Sequence, residues 1–143
     1  MSKYTHMKLK ILLTSVLVLG IQIAFGQPDY KVVFDLTSKD SLDHKAVLRW
    51  VTEISKLEPK AKLEVVMYSQ GVNMVVKNRS GVEDVVTKLT GNKNISFKVC
   101  AVALKNLGIE KDQLLPGIEI VPDGIYEIIR KQKEGWGYIK AVH

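Results

Sequence analysis

The sequence predicts an α/β fold, a three-layer α/β/α sandwich around a mainly parallel five-stranded sheet. Three observations predict it. Short apolar runs of strand length recur along the chain, segments with apolar residues at helical spacing separate them, and glycine, proline or capping residues mark the joins. Strands that alternate with helices pair in parallel, because a helical crossover brings the chain back to the same end of the sheet.

The elements follow in order. Residues 31–36 are an apolar run and read as the first strand. A polar loop follows, and Asp40 or Ser41 caps the next helix. Its apolar face is Ala46, Val47, Trp50, Val51, Ile54 and Leu57, and Pro59 stops it. Residues 63–68 are the second strand, Ser69-Gln70-Gly71 turns out of it, and residues 72–76 read as a short helix. Ser80 and Glu83 have the spacing of a capping box. The helix they open carries Val82, Val85, Val86 and Leu89 on one face and ends at Gly91. Residues 95–99 are the third strand, and residues 101–107 are a helix closed by Gly108. Residues 118–121 are the fourth strand. Pro122-Asp123 then leads into a helix with Ile125, Ile128 and Ile129 as its apolar face. Arg130, Lys131 and Lys133 in its last turns complement the negative end of the helix dipole. Gly135 ends that helix, and residues 138–142 are the last strand.

The first 26 residues read as a cleavable signal peptide. Lys3, His6, Lys8 and Lys10 form a positive start, residues 11–25 an apolar stretch, and Ala24-Phe25-Gly26 puts small residues where a signal peptidase reads them. The apolar run is shorter than the roughly 20 residues of a membrane span. Residues 27–143 are then one exported domain, periplasmic in a bacterium with two membranes, with no membrane attachment after cleavage. Export also changes the charge. The whole chain has 21 basic and 15 acidic residues; losing Lys3, Lys8 and Lys10 leaves 18 against 15. A net charge of +3 with interspersed signs does not argue for a nucleic-acid partner.

In a sheet of this class, chemistry collects at the carboxyl ends of the strands. Cys100 lies there, at the junction of the third strand and its helix, and it is the only cysteine. A thiol in that place faces the free N–H groups that open a helix, an environment in which reactive cysteines occur. The alternative is that Cys100 is a small buried hydrophobe. His44, in the first turn of the first helix, is a candidate proton acceptor near the same rim. Asp35 and Asn73 also reach the rim as candidate ligand contacts, and Asp123 reads as a helix cap. Gly135-Trp136-Gly137-Tyr138 is a tight turn with aromatics on the sheet edge. No metal-ligand spacing, phosphate loop, dinucleotide fingerprint or nucleophilic serine elbow occurs, so no metal or cofactor is expected.

Phe97-Lys98-Val99-Cys100-Ala101-Val102-Ala103-Leu104-Lys105-Asn106-Leu107-Gly108-Ile109 resembles the DsrE/DsrF-like family: a strand, a cysteine, a short alanine-rich helix and a glycine. Gly117-Ile118-Glu119-Ile120-Val121-Pro122-Asp123-Gly124-Ile125 and Gln132-Lys133-Glu134-Gly135-Trp136-Gly137-Tyr138-Ile139 extend the resemblance. Val32-Val33-Phe34-Asp35-Leu36 with His44 downstream resembles its exported single-domain branch. The resemblance implies a parallel five-stranded fold, assembly as homotrimers or hexamers, and a persulfide carried on Cys100. One departure stands out: Tyr68-Ser69 occupies the place where many members have a His-Gly pair.

Three functions follow as expectations. The first is a sulfur carrier of sulfurtransferase type, exchanging sulfur with a donor or acceptor protein or a small thiol through Cys100. The second is a non-catalytic oligomeric binding module in which Cys100 is structural. The third is a thiol redox role, weakened by the lack of a resolving cysteine.

Overall fold

The computed structural model describes residues 29–142. The signal-peptide reading of residues 1–26 lies outside the described residues. Five strands form one sheet: β1 Lys31–Leu36, β2 Lys62–Met67, β3 Ile95–Cys100, β4 Glu119–Val121 and β5 Gly137–Lys140. Four helices connect them: α1 Ser41–Leu57, α2 Glu83–Thr90, α3 Ala101–Leu107 and α4 Gly124–Lys133. Every strand pair is parallel and the strand order is β4-β3-β2-β1-β5, so the predicted α/β sandwich is the fold.

The two faces of the sheet differ. On one face Phe34, Leu36, Leu63, Val65, Met67 and Phe97 pack in a single cluster with residues from α1, α2 and α3. On the other face α4 lies alone, with Ile128 against Val33 and Val66. This arrangement decides where a site can form. The chain leaves β3 into α3 on the first face and leaves the adjacent β4 into α4 on the second. Neighbouring strands whose connections diverge open a crevice at their carboxyl ends. Cys100 is the last residue of β3, and Pro122-Asp123-Gly124 follow β4, so both meet at that crevice.

Local chemistry explains most boundaries. Asp40 caps α1, its carboxylate accepting from the Leu42 N–H at 2.8 Å. Gly108, in left-handed backbone at φ 62°, closes α3. Several expectations need correction. Residues 69–75 form one 3-10 helix, where a turn at 69–71 and a short helix over 72–76 are expected. Ser80 and Glu83 do not form a capping box: Ser80 Oγ accepts from the Val82 N–H at 3.1 Å, and Glu83 reaches back to the Asn78 N–H at 2.8 Å. Both acceptors serve the preceding turn, because α2 starts only at Glu83.

The apolar face assigned to α4 is also different. Ile128 is buried, but Ile125 is 54% exposed and Ile129 46%. Glu127 and Lys131 turn inward instead. The sheet explains this, because Glu64 of β2 and Lys98 of β3 sit on the face beneath α4. Lys131 Nζ lies 3.0 Å from Glu64, and Lys98 Nζ lies 3.2 Å from both Glu64 and Glu127. Arg130 pairs with Glu127 and Glu134. Arg130 and Lys131 thus fasten the helix through ion pairs with named partners rather than acting only as dipole complements.

A candidate thiol site at the carboxyl rim

A groove of about 310 Å³ occupies the crevice between the ends of β3 and β4. Cys100 lines it and is 6% exposed. The residue also stands at the N-cap of α3, where no side chain satisfies the first-turn N–H groups. From α3 the groove takes Val102, Ala103, Asn106 and Leu107; from α4 and its cap it takes Ile125 and Asp123. The 3-10 segment after β2 contributes Ser69 and Gln70, with Tyr68 before it.

Gly124 is what lets α4 come down onto this site. A Cβ at Gly124 would lie 3.2 Å from the Cys100 Cβ and 3.3 Å from the Tyr68 Cβ. Asp123 caps α4, its carboxylate accepting from the Tyr126 N–H at 2.8 Å. The expectation of a capping role for Asp123 agrees with this geometry.

Tyr68 links the groove to a second set of side chains. Its hydroxyl donates to Asp35 Oδ2 at 3.3 Å, and the Tyr138 hydroxyl donates to the same oxygen at 2.7 Å. Lys140 Nζ lies 3.0 Å from Asp35 Oδ1 and 2.9 Å from Thr37 Oγ1. The bond to the Asp35 carboxylate, with burial, pushes Tyr138 up to about 12. Burial first, then Asp35, raises Tyr68 as well. Both phenols are therefore protonated donors at physiological pH, and Asp35 acts as their shared acceptor.

The candidate residues named from sequence are thus placed as follows. Cys100 lines the groove. Asp35 is 5% exposed and does not line it, but holds Tyr68, which does. The Asn73 amide donates to the Gln70 carbonyl at 2.9 Å and to Gln70 Oε1 at 3.0 Å, shaping its own turn. His44 is 5% exposed, with Nε2 2.9 Å from the Ser38 carbonyl oxygen, and is not among the groove residues. It closes the β1–α1 loop. Sequence reasoning marks Tyr68 only as a departure from the family's His-Gly pair and names neither Tyr68 nor Gly124 as a site residue. The alternation Glu64, Val66, Tyr68 along β2 is the signal that places Tyr68 on the α4 face. Among the described residues no group of three or more His, Cys, Asp or Glu is arranged to hold a metal ion. No helix among them is long and apolar enough to cross a membrane.

Comparison with known proteins agrees with the fold. The sequence profile of the DsrE/DsrF-like family matches residues 31–141. A protein of unknown function from Methanobacterium thermoautotrophicum is 34% identical, with a TM-score of 0.74 over 78% of this chain and 99% of its own. The ychN protein from E. coli is 17% identical, with a TM-score of 0.66 over 78% of this chain and 98% of its own, and shares the fold. A conserved protein of unknown function from Bacteroides thetaiotaomicron shares it too, at 17% identity and a TM-score of 0.60 over 77% of this chain and 93% of its own. No match to a curated protein was found.

Proposed function

The chain belongs to the DsrE/DsrF-like family, and on that premise we propose that it is an exported sulfur carrier working through Cys100. The observation that carries this reading is the place of Cys100: the end of β3, the start of α3, and the wall of the groove at the sheet's switch point. The Cys100 thiolate attacks the outer sulfur of a donor R–S–SH. An S–S bond forms at Cys100, the donor's S–S bond breaks, and its electron pair leaves with R–S⁻. The reverse step hands the sulfur to an acceptor thiol. No oxidant is consumed.

Mass spectrometry of the protein after exposure to thiosulfate, polysulfide or an organic persulfide tests this. The expected result is a Cys100 peptide heavier by one sulfur, removed by reductant and missing in Cys100→Ser. No adduct from any donor sinks the carrier reading. One observation favours a second reading, a non-catalytic oligomeric binding module: Cys100 is only 6% exposed. Under that reading Cys100→Ser keeps both assembly and function.

Export and assembly are part of the same proposal. The positive start and small-residue motif before Gln27 support cleavage there, and an intact mass that begins at Gln27 is the expected result for the secreted chain. Exposed Ile125, Tyr126 and Ile129 on the outside of α4 support self-association as a trimer or hexamer. Sedimentation at monomer mass would remove that part.

A further inference from the structure

The wall of the Cys100 groove is mostly apolar and holds no cation. Val102, Leu107, Ile125 and the Tyr68 ring supply the apolar surface, and the one charged side chain on it is Asp123. Lys140, 5.7 Å from the centroid of the Tyr68 ring, does not line the groove and is tied to Asp35 and Thr37. An anion in the groove would shed water and meet no charged side chain of opposite sign, only the free N–H groups that open the short helix α3.

Resting on the carrier reading above, we propose that the groove selects sulfur donors with an uncharged, apolar carrier group, alkyl or aryl persulfides, over sulfur oxyanions, and that Tyr68 sets this preference. The reacting sulfurs are the same in both cases. The difference is the group left in the groove when the S–S bond breaks. With R–S–SH it is R–S⁻, whose R group lies on apolar walls and whose sulfur takes a proton from water. With thiosulfate it is sulfite, a dianion departing past the Asp123 carboxylate. Tyr68 is suited to this role because its ring lies along the groove while its hydroxyl is held by Asp35, a carboxylate 5% exposed. The ring is therefore a fixed wall.

The test uses three methanethiosulfonates of similar size, neutral propyl, anionic sulfonatoethyl and cationic trimethylammonioethyl. Each rate at Cys100 in the full mature chain is divided by its rate toward a free cysteine peptide. The neutral reagent is expected to lead the anionic one by about tenfold or more. Asp123→Asn keeps the helix cap, removes the charge, and should shrink the anionic deficit several-fold. Tyr68→Ala should lose the preference for the neutral reagent, and Tyr68→Phe should restore it. Asn106→Lys changes an exposed side chain on the groove and should speed the anionic reagent, which keeps the test valid if Tyr68→Ala fails to fold. An anionic reagent as fast as the neutral one overturns the proposal, as does Tyr68→Ala with its preference intact. The expected ranking without any sulfur adduct from a donor would leave the groove's selectivity standing and remove the carrier reading. Adducts formed as readily from thiosulfate as from an organic persulfide would do the reverse.

Discussion

Alanine at Gly71 is expected to cost about 3 kcal/mol or more, a large part of the stability of a domain this size. Gly71 lies in the 3-10 segment that follows β2, directly against the end of β1. A Cβ there would overlap the Leu36 carbonyl oxygen, sit 2.7 Å from the Leu36 carbonyl carbon and 3.1 Å from the Thr37 Cα. All three are backbone atoms, so no rotamer change relieves the clash. The neighbouring hydrogen bonds hold both sides in place. The Tyr68 N–H donates to Leu36 O at 3.2 Å, and the Gly71 N–H donates to Tyr68 O at 3.1 Å. Moving either segment therefore breaks the join that positions Tyr68. Urea unfolding with an unchanged slope and a much lower midpoint is the expected result, together with altered Cys100 reactivity in whatever remains folded. Gly81 is the control, because a Cβ there meets nothing within 4 Å. A normal midpoint for Gly71→Ala would show that the close approach to β1 is not required.

The contrast between legible and illegible features follows the range of the interactions behind them. The α1 stripe, the Asp40 cap and the Gly108 stop depend on neighbours within a turn or two, and the residue types alone announce them. Cys100 was legible for a similar reason: a strand run, a cysteine and a short alanine-rich helix are contiguous. Asp35 was named, but its role was not visible, since Tyr138 and Lys140 reach it from 103 and 105 residues away. His44 shows the same limit at short range. Helical spacing placed it inward and near the rim correctly, yet no pattern foretold that the Ser38 carbonyl would take its imidazole. In α4 the error was one of orientation. Three isoleucines at helical spacing suggested an apolar face, but the helix faces a patch of sheet that carries Glu64 and Lys98. Those charges lie far upstream in sequence, and they draw Glu127 and Lys131 inward while Ile125 and Ile129 turn out.

That patch supports the second large effect. Glu127→Ala is expected to cost about 3–5 kcal/mol, as breaking a buried ion pair by removing one partner does. It deprives Lys98, whose side chain is 14% exposed, of one of its two close carboxylates, and takes from Arg130 two bonds at 2.6 and 3.0 Å. Burial works against the Glu127 charge, but bonds from Arg130 and Lys98, together with the contact to Glu64, outweigh it and hold this carboxyl down at about 2. A carboxyl lowered on folding stabilises the fold above its ordinary value of 4.5. That contribution is lost as pH falls from there through about 2, so acid unfolding of the wild type should steepen in this window. Glu127→Ala should lose the steepening. Glu64 has the opposite sign. Burial, first, and its contact with Glu127 raise its pKa, so its contribution is complete below 4.5 and declines as pH rises through the raised value. One of its buried oxygens has no hydrogen-bond partner. Glutamine keeps the shape of Glu64, removes its buried charge and brings an amide donor beside Glu127. Burial already opposes the Glu64 charge, so Glu64→Gln at neutral pH is expected to cost clearly less than Glu127→Ala, read as the smaller drop in the urea midpoint. Equal, large losses at both positions would mean that both carboxylates are needed equally as charges.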